Sequence, residues 1–142
     1  MPRICLVSCS KTKLQKPAPA AKLYASARFR LASKYADKGF DAWYILSALH
    51  GLVTSEQIIA PYDRTLNGMA RSQRHEWSLK VATQIREKVP GEAEIVILAG
   101  LRYYEFLVPL LTTFGYRVCT PLSHLGQGKQ LQWLKRKAHG AL

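Results

Sequence analysis

Six consecutive residues, Ser8-Cys9-Ser10-Lys11-Thr12-Lys13, put hydroxyls, a thiol and two lysines directly after a short apolar run. Hydroxyls can donate to an anionic oxygen and clustered ammonium groups can hold its charge, so phosphate or carboxylate is the ligand this mixture suits. Lysines crowded by like charges also have depressed pKa values, which frees an amine as nucleophile or base. Lys13 is therefore the first candidate for chemistry. A second group is Ser47-Ala48-Leu49-His50-Gly51, where glycine marks a sharp turn that could hold the His50 imidazole as acid, base or donor. Pro61 gives Tyr62-Asp63 a rigid approach that could aim the carboxylate at the same place, and Arg102, just past Gly100, could clamp an anion with its planar fork. Tyr103 or Tyr104 could stack on a base. Lys13, His50 and Asp63 are thus the catalytic candidates; Ser8, Cys9, Ser10, Lys11, Ser47, Gly51, Tyr62, Gly100, Arg102 and Tyr103 are the candidate substrate contacts. The plainer alternatives are a polar loop of solvated lysines, a structural histidine and a turn-capping aspartate.

Several chemistries lack their signature. GxxxxGK[ST] is absent, so this is no P-loop, and without a GxSxG elbow a hydrolase triad is a weak idea. His50, His75, His124 and His139 show no zinc-like spacing with the cysteines, so neither a metal nor a cofactor is expected.

The elements that must position these residues alternate. Arg3 to Val7 reads as a buried strand, and Ser26 as the N-cap of a helix with Leu31 and Tyr35 on one side and Gly39 at its end. Ala42 to Leu46 is the second strand. Leu52 to Met69 is long for a connection, and it is expected to wrap the surface. Ser72 then caps a helix with Trp77, Val81, Ile85 and Val89 at helical spacing, stopped by Pro90-Gly91. Ile95 to Leu98 is the clearest central strand. The aromatic helix after it should kink or restart at Pro109. Tyr116 to Thr120 is a fourth strand, and Gly126 and Gly128 precede a last amphipathic helix. Such alternation predicts one α/β domain over residues 1–142, with about four mainly parallel strands and helices on both faces. In such sheets ligands bind beyond the carboxyl ends of the strands, and that is where the candidate residues fall.

Charge narrows the ligand further. The formal net charge is +12, no acid occurs before Asp37, and none follows Glu105. If the two ends of the chain share a face, that face attracts polyanions. A membrane partner fits less well: no apolar run can span a bilayer, and no helix joins a basic face to a broad apolar one. Three cysteines without CxxC spacing, and a start unlike a signal peptide, are expected of reduced thiols in the cytoplasm.

The same segments carry a resemblance. Together with Leu98-Ala99-Gly100 and Arg102-Tyr103-Tyr104, they resemble an uncharacterised bacterial and phage domain family over nearly the whole chain. The stretch LSALHGLV…APYDRTL further resembles the YaaA peroxide-stress family, which implies DNA binding and protection from oxidative damage. His50 stands where that pattern has tyrosine, and the chain has no room for the DNA-binding insertion of that family. The Cys9-x-x-x-Lys13 spacing is similar to the core of archaeosine synthase, which implies lysine chemistry on a deazaguanine in tRNA; Ser8 replaces its proline and Leu14 follows the lysine. Uracil-DNA-glycosylase-like layering is a fold-level analogy.

Two functions follow as expectations. One is an enzyme acting on a nucleobase or nucleotide, by base modification or glycosidic chemistry. The other is a non-catalytic DNA- or RNA-binding stress-response protein. A small-molecule phosphate-ester enzyme remains the third reading.

Overall fold

Ile4, Cys5, Leu6 and Val7 are apolar on both sides of the pleat and all four are buried, which is what a strand covered on both faces requires. They form β1 (Arg3–Ser8), the middle strand of the sheet in a computed structural model that describes residues 2–140. β3 (Ala42–Ser47) pairs with β1 in parallel on one side and β6 (Glu94–Leu98) on the other, so that Cys5 lies opposite both Trp43 and Val96. β7 (Arg117–Cys119) extends the parallel set beyond β6. With β4 (Gly51–Thr54) at the other border, the order across the sheet is β4-β3-β1-β6-β7.

The sheet has five strands rather than the four expected. The extra one, β4 (Gly51–Thr54), runs antiparallel to β3, with Ser47 opposite Gly51 and Leu46 opposite Leu52. Gly51 makes the reversal possible with φ of +76°. A Cβ there would also stand 2.5 Å from Gln84 Oε1, the atom that accepts the Leu52 N–H at 2.9 Å.

The stretch from Leu52 to Met69 does not simply wrap the surface. β5 (Ile58–Ile59) pairs antiparallel with β2 (Ala18–Pro19), and Leu52, Val53, Ile59, Leu66 and Met69 are buried. Burial of these apolar side chains outweighs the polar, proline-containing look of the segment.

α1 (Ala20–Leu23) is a single turn. α2 (Ala27–Gly39) is capped by Ser26, whose Oγ accepts the Phe29 N–H at 3.1 Å. It buries Phe29, Ala32 and Ala36; Leu31 and Tyr35, read as sharing one side, lie on its margin, where Tyr35 meets Phe40 and Trp133 edge-on. α6 (Gln127–Ala138) packs beside α2 and buries Leu134 and Ala138, with Gly128 already inside the helix.

α3 (Arg71–Lys88) packs against β4 and α5 (Leu107–Thr113). It begins before Ser72, because the Gln73 side chain reaches back to accept the Ala70 N–H at 2.9 Å and stabilises an earlier start. The aromatic helix divides into α4 (Leu101–Tyr104) and α5 (Leu107–Thr113). Pro109 would clash with the carbonyl four residues back, so the helix breaks around Glu105 and restarts with Pro109 in its first turn.

Candidate functional site

The chain leaves β1 for β3 on one side and later returns to β6 on the other. Between the carboxyl ends of β1 and β6 no connection covers the sheet, and a cleft of 510 Å³ opens there. Ser8, Cys9, Ser10 and Lys11 line it from β1, Gly100, Arg102 and Tyr103 from beyond β6, and Ser26, Arg28 and Phe29 from the start of α2. Thr65, Asn67 and Gln127 complete its polar rim, and Leu98, Leu122 and Leu134 its apolar floor. Three cations, Lys11, Arg28 and Arg102, therefore face one space with no carboxylate among its lining residues.

Arg28 is partly buried, and burial lowers its pKa. Among the described residues its guanidinium meets no acid and donates to Gln130 Oε1, whose own amide nitrogen donates to the carbonyls of Leu122 and Leu125. A cation withdrawn from water without a counter-charge is stabilised by an incoming anion. Tyr103, at the cleft wall, packs edge-on against Trp77 and places its hydroxyl 3.3 Å from Cys9 Sγ. Burial and the neighbouring Cys9 push its phenol well above the usual value.

A second group of candidates gathers beside the cleft, around Tyr62. The Leu14 N–H donates to the Leu23 carbonyl and the Ala25 N–H to the Thr12 carbonyl, both at 2.8 Å, so the β1 loop is tied to the entry of α2. This brings Lys13 opposite Tyr24, and its Nζ lies 4.3 Å above the Tyr62 ring while donating to the Lys11 carbonyl at 3.3 Å. The Tyr62 hydroxyl is 2.7 Å from Tyr24 Oη and 2.7 Å from Ser47 Oγ. Ser47 Oγ also accepts the His50 N–H at 3.0 Å, and the Ser47 carbonyl accepts from Trp77 Nε1 at 2.9 Å. The His50 ring stands edge-on to Tyr62, with centroids 5.6 Å apart. Burial raises the pKa values of Tyr24 and Tyr62, so both phenols stay protonated at neutral pH. Burial lowers that of Lys13, and Cys9 and Asp63 partly offset the effect.

The candidates thus fall into two neighbouring places rather than one hollow. Ser8, Cys9, Ser10, Lys11, Gly100, Arg102 and Tyr103 share the cleft; Lys13, Ser47, His50 and Tyr62 share the hydroxyl cluster. Asp63 is exposed and borders a shallower hollow of 440 Å³ with Lys11, Arg64 and Thr65. Gly51 belongs to neither, since it faces Gln84 and Lys80 of α3 and serves the β3–β4 turn. Among the described residues no three His, Cys, Asp or Glu side chains are grouped to hold a metal ion, and no helix is long and apolar enough to cross a membrane.

Sequence reasoning missed Arg28, Ser26 as a cleft residue, Thr65 and Asn67; Gln127 lies in the turn beyond the fourth strand, where the strand-end rule points. A signal for Arg28 existed. It stands in the first turn of α2, the first helix longer than one turn after β1, and helix starts of this kind flank ligands in parallel sheets. Thr65 and Asn67 carried none, because the long connection hides which part returns to the strand ends.

Residues 4–136 match a family of unknown function (DUF6884). The chain belongs to it. It is also similar to the uncharacterized protein YfjM of Bacillus subtilis (strain 168), 28% identical over 145 residues that cover 96% of this chain and 95% of that protein. No solved structure matches it. The matched region contains every lining residue of the cleft and every member of the hydroxyl cluster, so both lie within the family domain.

Proposed function

We propose that this family member is an enzyme that binds a nucleotide by its phosphate in the β1–β6 cleft and acts on the nucleotide or its base. The observation that carries the reading is the meeting of Lys11, Arg28 and Arg102 in one 510 Å³ space with no acid lining it. The volume lies in the range of small-molecule sites. Hydroxyls of Ser8 and Ser26 supply neutral donors, Ser10 Oγ already donating to the Thr12 carbonyl at 2.7 Å, and Phe29 and Tyr103 give the base or sugar an apolar surface. With the phosphate against the three cations, the rest of the nucleotide extends across the β1 loop towards Lys13. Its partly buried amine, with a lowered pKa, is the candidate base or nucleophile; His50 and Asp63 would orient the substrate on either side. The LSALHGLV…APYDRTL likeness to the YaaA family and the Cys9–Lys13 spacing of archaeosine synthase support a nucleic-acid-related substrate.

The test is calorimetric titration with nucleoside monophosphates and the matching nucleosides. Nucleotides should bind about tenfold or more tightly than nucleosides, and Arg28→Met or Arg102→Met should remove that advantage. Equal binding of nucleoside and nucleotide, or variants that keep the parent's preference, would falsify the phosphate site. Lys13→Ala separates the enzyme from a pure binding protein: it should keep nucleotide affinity and lose turnover.

A further inference from the structure

The cleft opens between two helices whose charge is far from balanced. α2 carries Arg28, Arg30, Lys34 and Lys38 against Asp37 alone; α6 carries Lys129, Lys135, Arg136 and Lys137 and no acid. Apart from Arg28 these cations are exposed. The two ion pairs among the described residues, Arg3–Glu94 and Arg74–Glu105, both lie elsewhere, so nothing on this face is neutralised by a salt bridge. α3, packed on other elements, has five cations against Glu76 and Glu87, and Arg74 is taken up by Glu105 at 2.7 Å. The α2–α6 layer therefore carries the larger excess of positive charge.

We propose that the nucleotide reaches the cleft as part of a nucleic-acid single strand, whose phosphate backbone lies along the α2–α6 face. This rests on the phosphate reading of the cleft and adds the form of the substrate. The two features are continuous: Arg28 and Phe29 of α2 and Gln127 and Leu134 of α6 line the cleft from the same layer. Further along α6 a shallow hollow holds Lys129, Gln132, Trp133, Lys135 and Arg136, so an indole is set among cations. Proteins that track single strands combine these two groups, cations for the backbone and an aromatic face for a base. A single strand also delivers its base unpaired, whereas a duplex would have to be opened first. At 1.5 Å per residue α6 is about 18 Å long, room for about five phosphates of a stacked strand. An anionic membrane is the poorer occupant, because the apolar residues of α6 are turned inwards: Leu134 and Ala138 are buried, and Leu131 and Trp133 are partly covered.

Fluorescence anisotropy of a labelled oligonucleotide of about 15 nucleotides, titrated at about 50 and 200 mM salt, tests this. One variant removes three cations from α6 (Lys135→Gln, Arg136→Gln, Lys137→Gln). Its control removes three from α3 (Lys80→Gln, Arg86→Gln, Lys88→Gln). The α6 set and two of the α3 set, Arg86 and Lys88, lie in last turns while Lys80 is mid-helix, and circular dichroism checks that each variant folds. The α6 variant should bind the oligonucleotide about tenfold or more weakly and lose about two units of salt slope, three phosphates at ~0.7 each. Its mononucleotide affinity should be unchanged, and the α3 variant should stay within about twofold of the parent. Equal losses from both variants, no oligonucleotide binding, or a preference for vesicles of anionic phospholipid would each overturn the surface. If mononucleotides bind while oligonucleotides gain nothing, the surface fails and the cleft stands. If oligonucleotides bind through α6 and mononucleotides do not, the strand surface stands and the phosphate reading of the cleft falls.

Discussion

The cleft between β1 and β6 and the hydroxyl cluster around Tyr62 adjoin the same loop, yet they are opposite kinds of polar region. In the cluster the hydroxyls are partnered: Tyr24, Tyr62, Ser47 and the His50 backbone N–H satisfy one another, and among the described residues no buried side-chain nitrogen or oxygen lacks a partner. In the cleft, three cations face a space that holds no carboxylate. A satisfied network fixes geometry. An unbalanced one gains from a ligand. The comparison teaches that polarity near strand ends has two uses, and that the sum of charge, rather than the number of polar groups, tells them apart.

The sharpest way to break that contrast is to truncate one aromatic of the cluster. Tyr24 is 1% exposed and packs against Phe29 and Tyr62, so Tyr24→Ala should lower the unfolding free energy by about 3–5 kcal/mol in urea titrations. Arg28→Met, in the cleft, should cost under about 1 kcal/mol, since a desolvated cation is exchanged for an apolar side chain. A larger loss for Arg28 than for Tyr24 would reverse the two assignments.

Removing one oxygen comes next. Tyr62→Phe leaves Tyr24 Oη and Ser47 Oγ each short of a partner and should cost about 1–3 kcal/mol, with the ring contacts kept. A neutral result would show that water satisfies the cluster as well as Tyr62 does.

The pH response is the finest probe. Tyr24 and Tyr103 have folded-state pKa values raised above the ordinary 10.0 by burial. Below that value both folded and unfolded phenols are protonated, and the stabilisation is complete. Above it the unfolded phenols ionise while the folded ones keep their protons, so stability falls with rising pH. Each such phenol adds a slope of about 1.4 kcal/mol per pH unit. Tyr103→Phe should therefore flatten the decline above pH ~10 by one proton's share, read from urea midpoints either side of it. An unchanged slope would mean that Tyr103 ionises as readily folded as unfolded.

Much of this molecule can be read from its residues, for physical reasons that also mark where reading stops. β1, β3 and β6 were legible because a parallel strand covered on both faces must be apolar throughout, and Ile4–Val7, Ile45–Leu46 and Ile95–Leu98 are. The loops at their carboxyl ends were then found by topology alone. β4 was not legible, because its Gly51-Leu52-Val53-Thr54 is too short for a period and becomes a strand only by pairing with β3. The separation of Lys13 from Arg102 was hidden for a similar reason. The backbone bonds joining Thr12 and Leu14 to Ala25 and Leu23 turn Lys13 aside onto Tyr62 and bring Arg28 forward in its place. Composition placed the cations near the site, and only tertiary pairing chose which of them face the cleft.

The outer parallel border of the sheet ends on three residues, of which Arg117 and Cys119 are exposed. A rim so brief, opening with a guanidinium, offers a second molecule hardly any backbone to copy. Growth of fibrils by strand addition is thereby blunted at that margin, and a carrier of +12 formal charge repels its own kind before such contacts form.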